Sequence, residues 1–215
     1  MTPSEAGPVR VLGKASSINV RKVLWTCDEL ALDVAREDWG SGFRSPQEPA
    51  FLALNPNGQV PVLVDGAEVL WESNTICRYL ARRQGRADLL PGTPTQAARV
   101  EQWMDWQATE LNSAWRDVFM ARVRRDPAYP DDAAAEDSAQ RWCRLMQILE
   151  HQLQQTQAHV AGEQFTLADI VLALSTHRWR STPMHSRPAL PAVDAWMQRL
   201  QHRPAFARHI GPATV

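Results

Sequence analysis

The chain has 215 residues, with 23 basic and 24 acidic side chains and a formal net charge of −1. It is 44% hydrophobic and 22% charged, an ordinary globular balance that excludes a mostly disordered chain. There is no basic excess to neutralise phosphates, so no nucleic-acid partner is expected. No run reaches the ~18 apolar residues a membrane span requires. The N-terminus lacks the charged start and apolar stretch of a secretory signal, and a cytoplasmic location is expected. Cys27, Cys77 and Cys143 are widely spaced and form neither a CxxC pair nor a zinc pattern. The six histidines are scattered. No metal site is expected.

In chain order, Val9 to Leu12 reads as a strand ending at Gly13. Asn19 to Leu30 carries Val20, Val23, Leu24, Cys27 and Leu30 at helical spacing, with Ser16, Ser17 and Asn19 as N-cap candidates. Leu32 to Glu37 is a second strand, and Asp38 to Pro49 a loop rich in Gly, Ser and Pro. Phe51, Leu52 and Leu54 make one apolar turn before the strong turn signal Asn55-Pro56-Asn57-Gly58. Val60 to Val64 and Glu68 to Trp71 form a hairpin across Asp65-Gly66. Ser73 to Arg83 follows as a helix. The order β-α-β-α-β-β-α predicts an α/β, thioredoxin-like domain with a mixed sheet over residues 1–88.

Gly85 to Pro94 reads as a linker, and an all-helical domain is expected over 95–215. One long amphipathic segment runs from about Val100 towards Arg124, broken by prolines at 127 and 130. Ala133 to Gln157 and Leu167 to Leu174 are further helices, the latter apolar all round and therefore central. Val193 to Leu200 is the last. Thr166-Leu167-Ala168-Asp169 is a capping-box variant. Trp103 and Trp142 are expected in the core.

Two segments carry chemistry. Pro61 enters a strand directly after a tight turn, where it removes no ladder donor. A cis bond there would leave the Val60 N–H and C=O free to pair with an extended ligand. Trp71-Glu72-Ser73-Asn74 joins a strand to a helix. Ser73, the open amides and the helix dipole suit a carboxylate, and Glu72 an adjacent ammonium. A ligand with a carboxylate and an amine at one end, and a peptide-like middle, fits both.

These residues resemble the glutathione S-transferase family. The match rests on Ser17-Ile18-Asn19-Val20-Arg21-Lys22-Val23, Asn55-Pro56-Asn57-Gly58-Gln59-Val60-Pro61-Val62-Leu63 and Trp71-Glu72-Ser73-Asn74, and extends into the helical half through Thr166 to Asp169. It is most similar to the bacterial theta- and beta-like members. The resemblance implies a glutathione transferase, a homodimer active in detoxification. It takes glutathione as co-substrate and a small hydrophobic or anionic electrophile, with no cofactor. It implies that Val60 pairs with the cysteinyl backbone, that Glu72 and Ser73 hold the γ-glutamyl end, and that Gln59 lies near the glycyl carboxylate. Ser17 falls at the activating position, with Ser16 and Asn19 as neighbours able to take the role; Asn19 also belongs to the expected glutathione site. No cysteine stands in the activating loop. A second-substrate pocket between the domains is implied at Trp106, Trp115, Arg116 and Phe119. Two other readings of the same site are a carrier that binds glutathione or a hydrophobic ligand without turnover, and a peroxidase that uses glutathione without a protein cysteine.

Overall fold

The computed structural model describes residues 8–210. The chain divides into two compact units, one ending at Gly92 and resuming at Ala205, the other beginning at Thr93 and ending at Pro204. The expected outer limits at residues 1 and 215 lie outside the described residues.

In the first unit, β1 (Val9–Leu12), α1 (Ile18–Glu29), β2 (Val34–Glu37), α2 (Pro49–Leu52), β3 (Val62–Asp65), β4 (Glu68–Trp71) and α3 (Ser73–Arg83) follow in turn. The four strands lie in the order β2-β1-β3-β4. β1 is parallel to β2 and antiparallel to β3, and β3 is antiparallel to β4. This is the expected mixed sheet. Leu12 and Val62 pair in register and pack with Trp39 and Phe51, whose rings sit 5.0 Å apart. Val11 and Leu63, one residue along their strands, point to the opposite face and are equally buried. α1 and α3 pack against one another. Cys27 and Cys77 are buried on these two helices, and burial pushes the thiols up to about 12 and about 11.

The strand read as Val60 to Val64 begins only at Val62. Val60 and Pro61 stand outside the ladder, joined by a cis peptide bond. The strand read from Leu32 likewise begins at Val34.

The second unit holds α4 (Pro94–Trp106), α5 (Asn112–Ala114), α6 (Arg116–Phe119), α7 (Asp132–Thr156), α8 (Leu167–Ser181) and α9 (Pro191–Leu200). The long segment expected towards Arg124 is not one regular helix. Widened π-type turns occupy Gln107–Leu111 and Met120–Arg124, and α5 and α6 meet at Trp115. The break has a local cause. Ser138 on α7 donates its hydroxyl to the Ala114 carbonyl at 2.6 Å and accepts the Val118 N–H at 3.3 Å. Those two backbone groups would otherwise bond to each other, so the side chain is inserted into the helical ladder.

α8 is the central helix, buried on all sides from Leu167 to Thr176. Its capping box forms. The Thr166 N–H donates to Asp169 Oδ2 at 2.9 Å and the Thr166 hydroxyl to the same oxygen at 3.2 Å. Oδ1 accepts from the Val160 N–H at 3.0 Å and from Trp196 Nε1 at 2.9 Å. Trp142 is fully buried as expected, whereas Trp103 is only half-buried, edge-to-face with Trp106 at 5.2 Å.

A last helix, α10 (Pro204–His209), has no counterpart in the sequence reading. Among the described residues, Ala205 to Ile210 group with the first unit. Among the described residues no helix is long and apolar enough to cross a membrane.

Candidate glutathione site

A cavity of about 330 Å³ opens in the first unit, lined by Asn19, Asn55, Asn57, Gln59, Val60, Pro61, Glu72 and Ser73. Three separate chain segments meet there: the start of α1, the turn before β3 and the start of α3.

The turn is built by Asn55, which is buried. Its Nδ2 donates to the Gln59 carbonyl at 2.7 Å, and its Oδ1 accepts both the backbone N–H and Nδ2 of Asn57 at 3.0 Å. Gly58 completes the turn at a φ of +59°, a region that costs glycine nothing. Gln47 donates to its carbonyl at 3.3 Å. These bonds engage the Gly58 and Gln59 carbonyls next to Val60. Among the described residues the Val60 N–H and C=O have no backbone partner. Gly13 presses on Val60 from behind. A Cβ at residue 13 would lie 3.1 Å from the Val60 Cβ and 2.4 Å from a Val20 methyl.

Glu72 is exposed and immediately precedes α3, with a φ of +70°. A non-glycine residue held there costs about 1–3 kcal/mol, a strain that folds usually keep at working sites. Ser73, 7% exposed, opens the helix. The arrangement places one carboxylate beside the positive end of α3.

Ser17 precedes α1 in an extended conformation (φ −71°, ψ 125°) and makes no side-chain capping bond. The hydroxyl expected to serve as a helix cap is therefore not used as one. Ser17 is half-buried, Ser16 is exposed, and neither is among the residues lining the cavity; Asn19, two residues into α1, is. Asn55 and Asn57, which also line the cavity, read from sequence only as turn formers. The signal that could have found them is their place in the same turn as Gln59 and Val60.

The four aromatic and basic candidates of the second unit make internal contacts. Trp106 packs on Trp103. Trp115 is half-buried, and its Nε1 donates to Asn112 Oδ1 at 3.0 Å. It meets the buried Phe119 edge-to-face at 5.1 Å, and the Arg178 guanidinium lies over both rings at 4.3 and 4.9 Å. Arg116 is exposed and donates Nε to the Tyr129 hydroxyl at 2.9 Å, a phenol rather than an acid. Among the described residues no group of three or more His, Cys, Asp or Glu could hold a metal ion.

The first unit is a thioredoxin-like domain with a polar cavity at the starts of two helices, and comparison with known proteins names the class. Residues 7–82 match the family model of the glutathione S-transferase N-terminal domain, and residues 111–204 that of the C-terminal domain. The chain is 35% identical over 202 residues to glutathione S-transferase GstB of Escherichia coli K12, covering 93% of this chain and 96% of that protein. It is 36% identical over 215 residues to glutathione S-transferase 3 of Zea mays, covering 94% and 93%. A theta-class glutathione S-transferase from Xanthomonas axonopodis pv. citri, solved with glutathione bound, superposes with a TM-score of 0.89 at 37% identity, covering 96% of this chain and 99% of that one. The chain belongs to the glutathione S-transferase family and is a transferase.

Proposed function

We propose that the cavity holds glutathione and that the enzyme transfers it, as a thiolate, to a hydrophobic or anionic electrophile. The observation that carries this reading is the open Val60 backbone pair in the same cavity as Glu72 and Ser73. Glutathione has matching parts. Its γ-glutamyl carboxylate suits the amides and hydroxyl at the start of α3, its ammonium suits Glu72, and its cysteinyl N–H and C=O suit Val60. Gln59 and Asn57 offer amide donors to the glycyl end.

The sulfur then lies towards α1. A free thiol of this type has a pKa of about 8.5, and the thiolate is the nucleophile. A hydroxyl donating to the sulfur favours the charged form, as does the helix N-terminus. A fall of two units corresponds to about 2.7 kcal/mol, within reach of one charge-assisted bond and a helix end. Ser17 is the donor in this reading, supported by its freedom from capping. The thiol proton passes to water, and the thiolate pair forms a C–S bond at the electrophilic carbon, either as the C–halogen bond breaks and halide leaves or by addition to an activated alkene whose carbanion then takes a proton from water. Cys27 and Cys77 take no part, because burial keeps both thiols protonated.

Asn19 is the second reading for the thiolate partner, favoured by its place in the cavity wall. The electrophile is assigned to the Trp106, Trp115, Arg116 and Phe119 group, with Arg116 available to an anionic substrate. A homodimer belongs to the proposal, supported by the edge strand β4, where Val69 and Trp71 stay 37% and 39% exposed. Conjugation of reactive electrophiles is a detoxifying chemistry, and the proposal places it in the cytoplasm.

Calorimetric titration of glutathione into wild type, Glu72→Gln and Ser73→Ala, alongside turnover with an activated aryl halide, tests the site. Each substitution should weaken binding roughly tenfold, the loss of one charged or capping contact. Unchanged binding in both variants would overturn the assignment, and binding without turnover would favour the carrier.

A further inference from the structure

Ser17 immediately precedes α1. Arg21, Trp25 and Asp28 follow it at intervals of four, four and three, so these three share one face of the helix and Ser17 stands at its N-terminal end. The Arg21 N–H donates to the Ser17 carbonyl at 2.9 Å, which ties the first turn to the residue before it.

The last helix grips this stripe. Arg21, 4% exposed, donates Nη1 to the His209 carbonyl at 3.0 Å. The Trp25 ring, fully buried, lies edge-on to Phe206 at 5.9 Å and stacked with the His209 imidazole at 6.2 Å. His209 Nε2 lies 2.6 Å from Asp28 Oδ2; a carboxylate only accepts, so the imidazole donates. Arg208 Nε stands 3.4 Å from the same oxygen. Three successive turns of one helical face are thus held by six residues of chain that belong to neither the sheet nor α3.

We infer that His209 is a positioning residue for the thiolate: through Arg21, Trp25 and Asp28 it fixes the rotation of α1 about its axis, and with it the direction of the Ser17 hydroxyl. With the His209 imidazole removed, the stack on Trp25 and the bond to Asp28 are lost on two turns of α1, the helix is held less tightly about its axis, and every residue on its face turns with it. Ser17 sits at the end of that face. Val60, Glu72 and Ser73 lie on other segments and keep their places. Loosening the strap therefore costs activation of glutathione far more than its binding.

This rests on the reading of Ser17 as thiolate partner, and the test separates the two. The pKa of bound glutathione, followed by ultraviolet thiolate absorbance, and kcat and KM for glutathione are measured on the full chain. The proteins are wild type, Ser17→Ala, His209→Ala, His209→Gln and Asp28→Asn. His209→Ala should raise the pKa of bound glutathione by one unit or more and lower kcat about tenfold, with KM for glutathione changed less than threefold. His209→Gln keeps an N–H donor towards Asp28 and should recover most of both. Asp28→Asn leaves the fold's buried residues in place and should give an intermediate rise, which decides the matter if His209→Ala does not fold. Thiolate lost in Ser17→Ala but unchanged in both His209→Ala and Asp28→Asn, with only the melting temperature lowered, would make the strap purely structural and overturn the inference. Thiolate retained in Ser17→Ala would overturn the reading of Ser17, and with it the strap's positioning role.

Discussion

Replacing Asp169 by asparagine should destabilise the helical unit severely, although the two side chains have the same shape. Both carboxylate oxygens face N–H donors: Val160 and Trp196 Nε1 on one side, Thr166 on the other. An asparagine must point its NH2 at one of these pairs whichever way it flips. At least one buried N–H then meets another donor, and the charge that strengthened the remaining bonds is gone. Leaving a buried N–H unsatisfied costs about 1–3 kcal/mol and losing a hydrogen bond to a charged group about 1.5–3 kcal/mol, roughly 3–5 kcal/mol together. For a chain of this size that corresponds to a fall in Tm of roughly 6–20 °C. Thermal denaturation followed by far-ultraviolet circular dichroism, with urea titration as a second measure, checks it. A fall of under about 1 kcal/mol would mean that the carboxylate is not the junction of α8, α9 and the Val160 turn, and would refute the reasoning.

Gly13→Ala puts a methyl 2.4 Å from a Val20 methyl carbon, on a backbone with φ +151°. Relief must come from α1 or from Val60, at about 1–3 kcal/mol, so KM for glutathione should rise roughly tenfold in steady-state assays. Alkylation of the native enzyme at neutral pH should leave Cys27 and Cys77 unlabelled by mass spectrometry and activity intact, because burial raises both thiols to about 12 and about 11. Burial also pulls His209 below its ordinary value of 6.5, outweighing the opposing hydrogen bond and charge of Asp28, while the Arg208 and Arg21 charges act in the same direction as burial. The unfolded chain then binds the proton more tightly than the folded one, so stability rises with pH through this window and falls on acidification below about 6.5. Tm measured across that range should show a slope that His209→Gln flattens.

The sequence is legible where the forces are local. Alternation and helical spacing place β1, α1 and the β3-β4 hairpin because each buries one face of a regular element. The Asn55 to Gly58 turn and the Glu72-Ser73 junction are readable because turn and cap chemistry act within four residues. What is not readable comes from partners distant in sequence. Nothing around Ala114 announces a break in the helix; it comes from the Ser138 hydroxyl, 24 residues on. The start of α9 gives no sign that its open amides at Ala192 and Val193 are met by Glu150, at 3.0 and 2.9 Å. Likewise α10 is too short to show a periodicity, and its place against α1 follows from Phe206 and His209 finding Trp25 and Asp28 across the length of the chain. Ser17 shows the same limit from the other side. Its position invites a capping role, and only the structure shows the hydroxyl unused for it.

The claim at the centre of this account is that the Ser17 hydroxyl stabilises the glutathione thiolate. Ultraviolet titration of glutathione bound to wild type and to Ser17→Ala tests it most directly. The account predicts a bound thiol with a pKa about two units below the free value of about 8.5, returning towards that value in the variant. A bound thiol that ionises equally early in both proteins would contradict it.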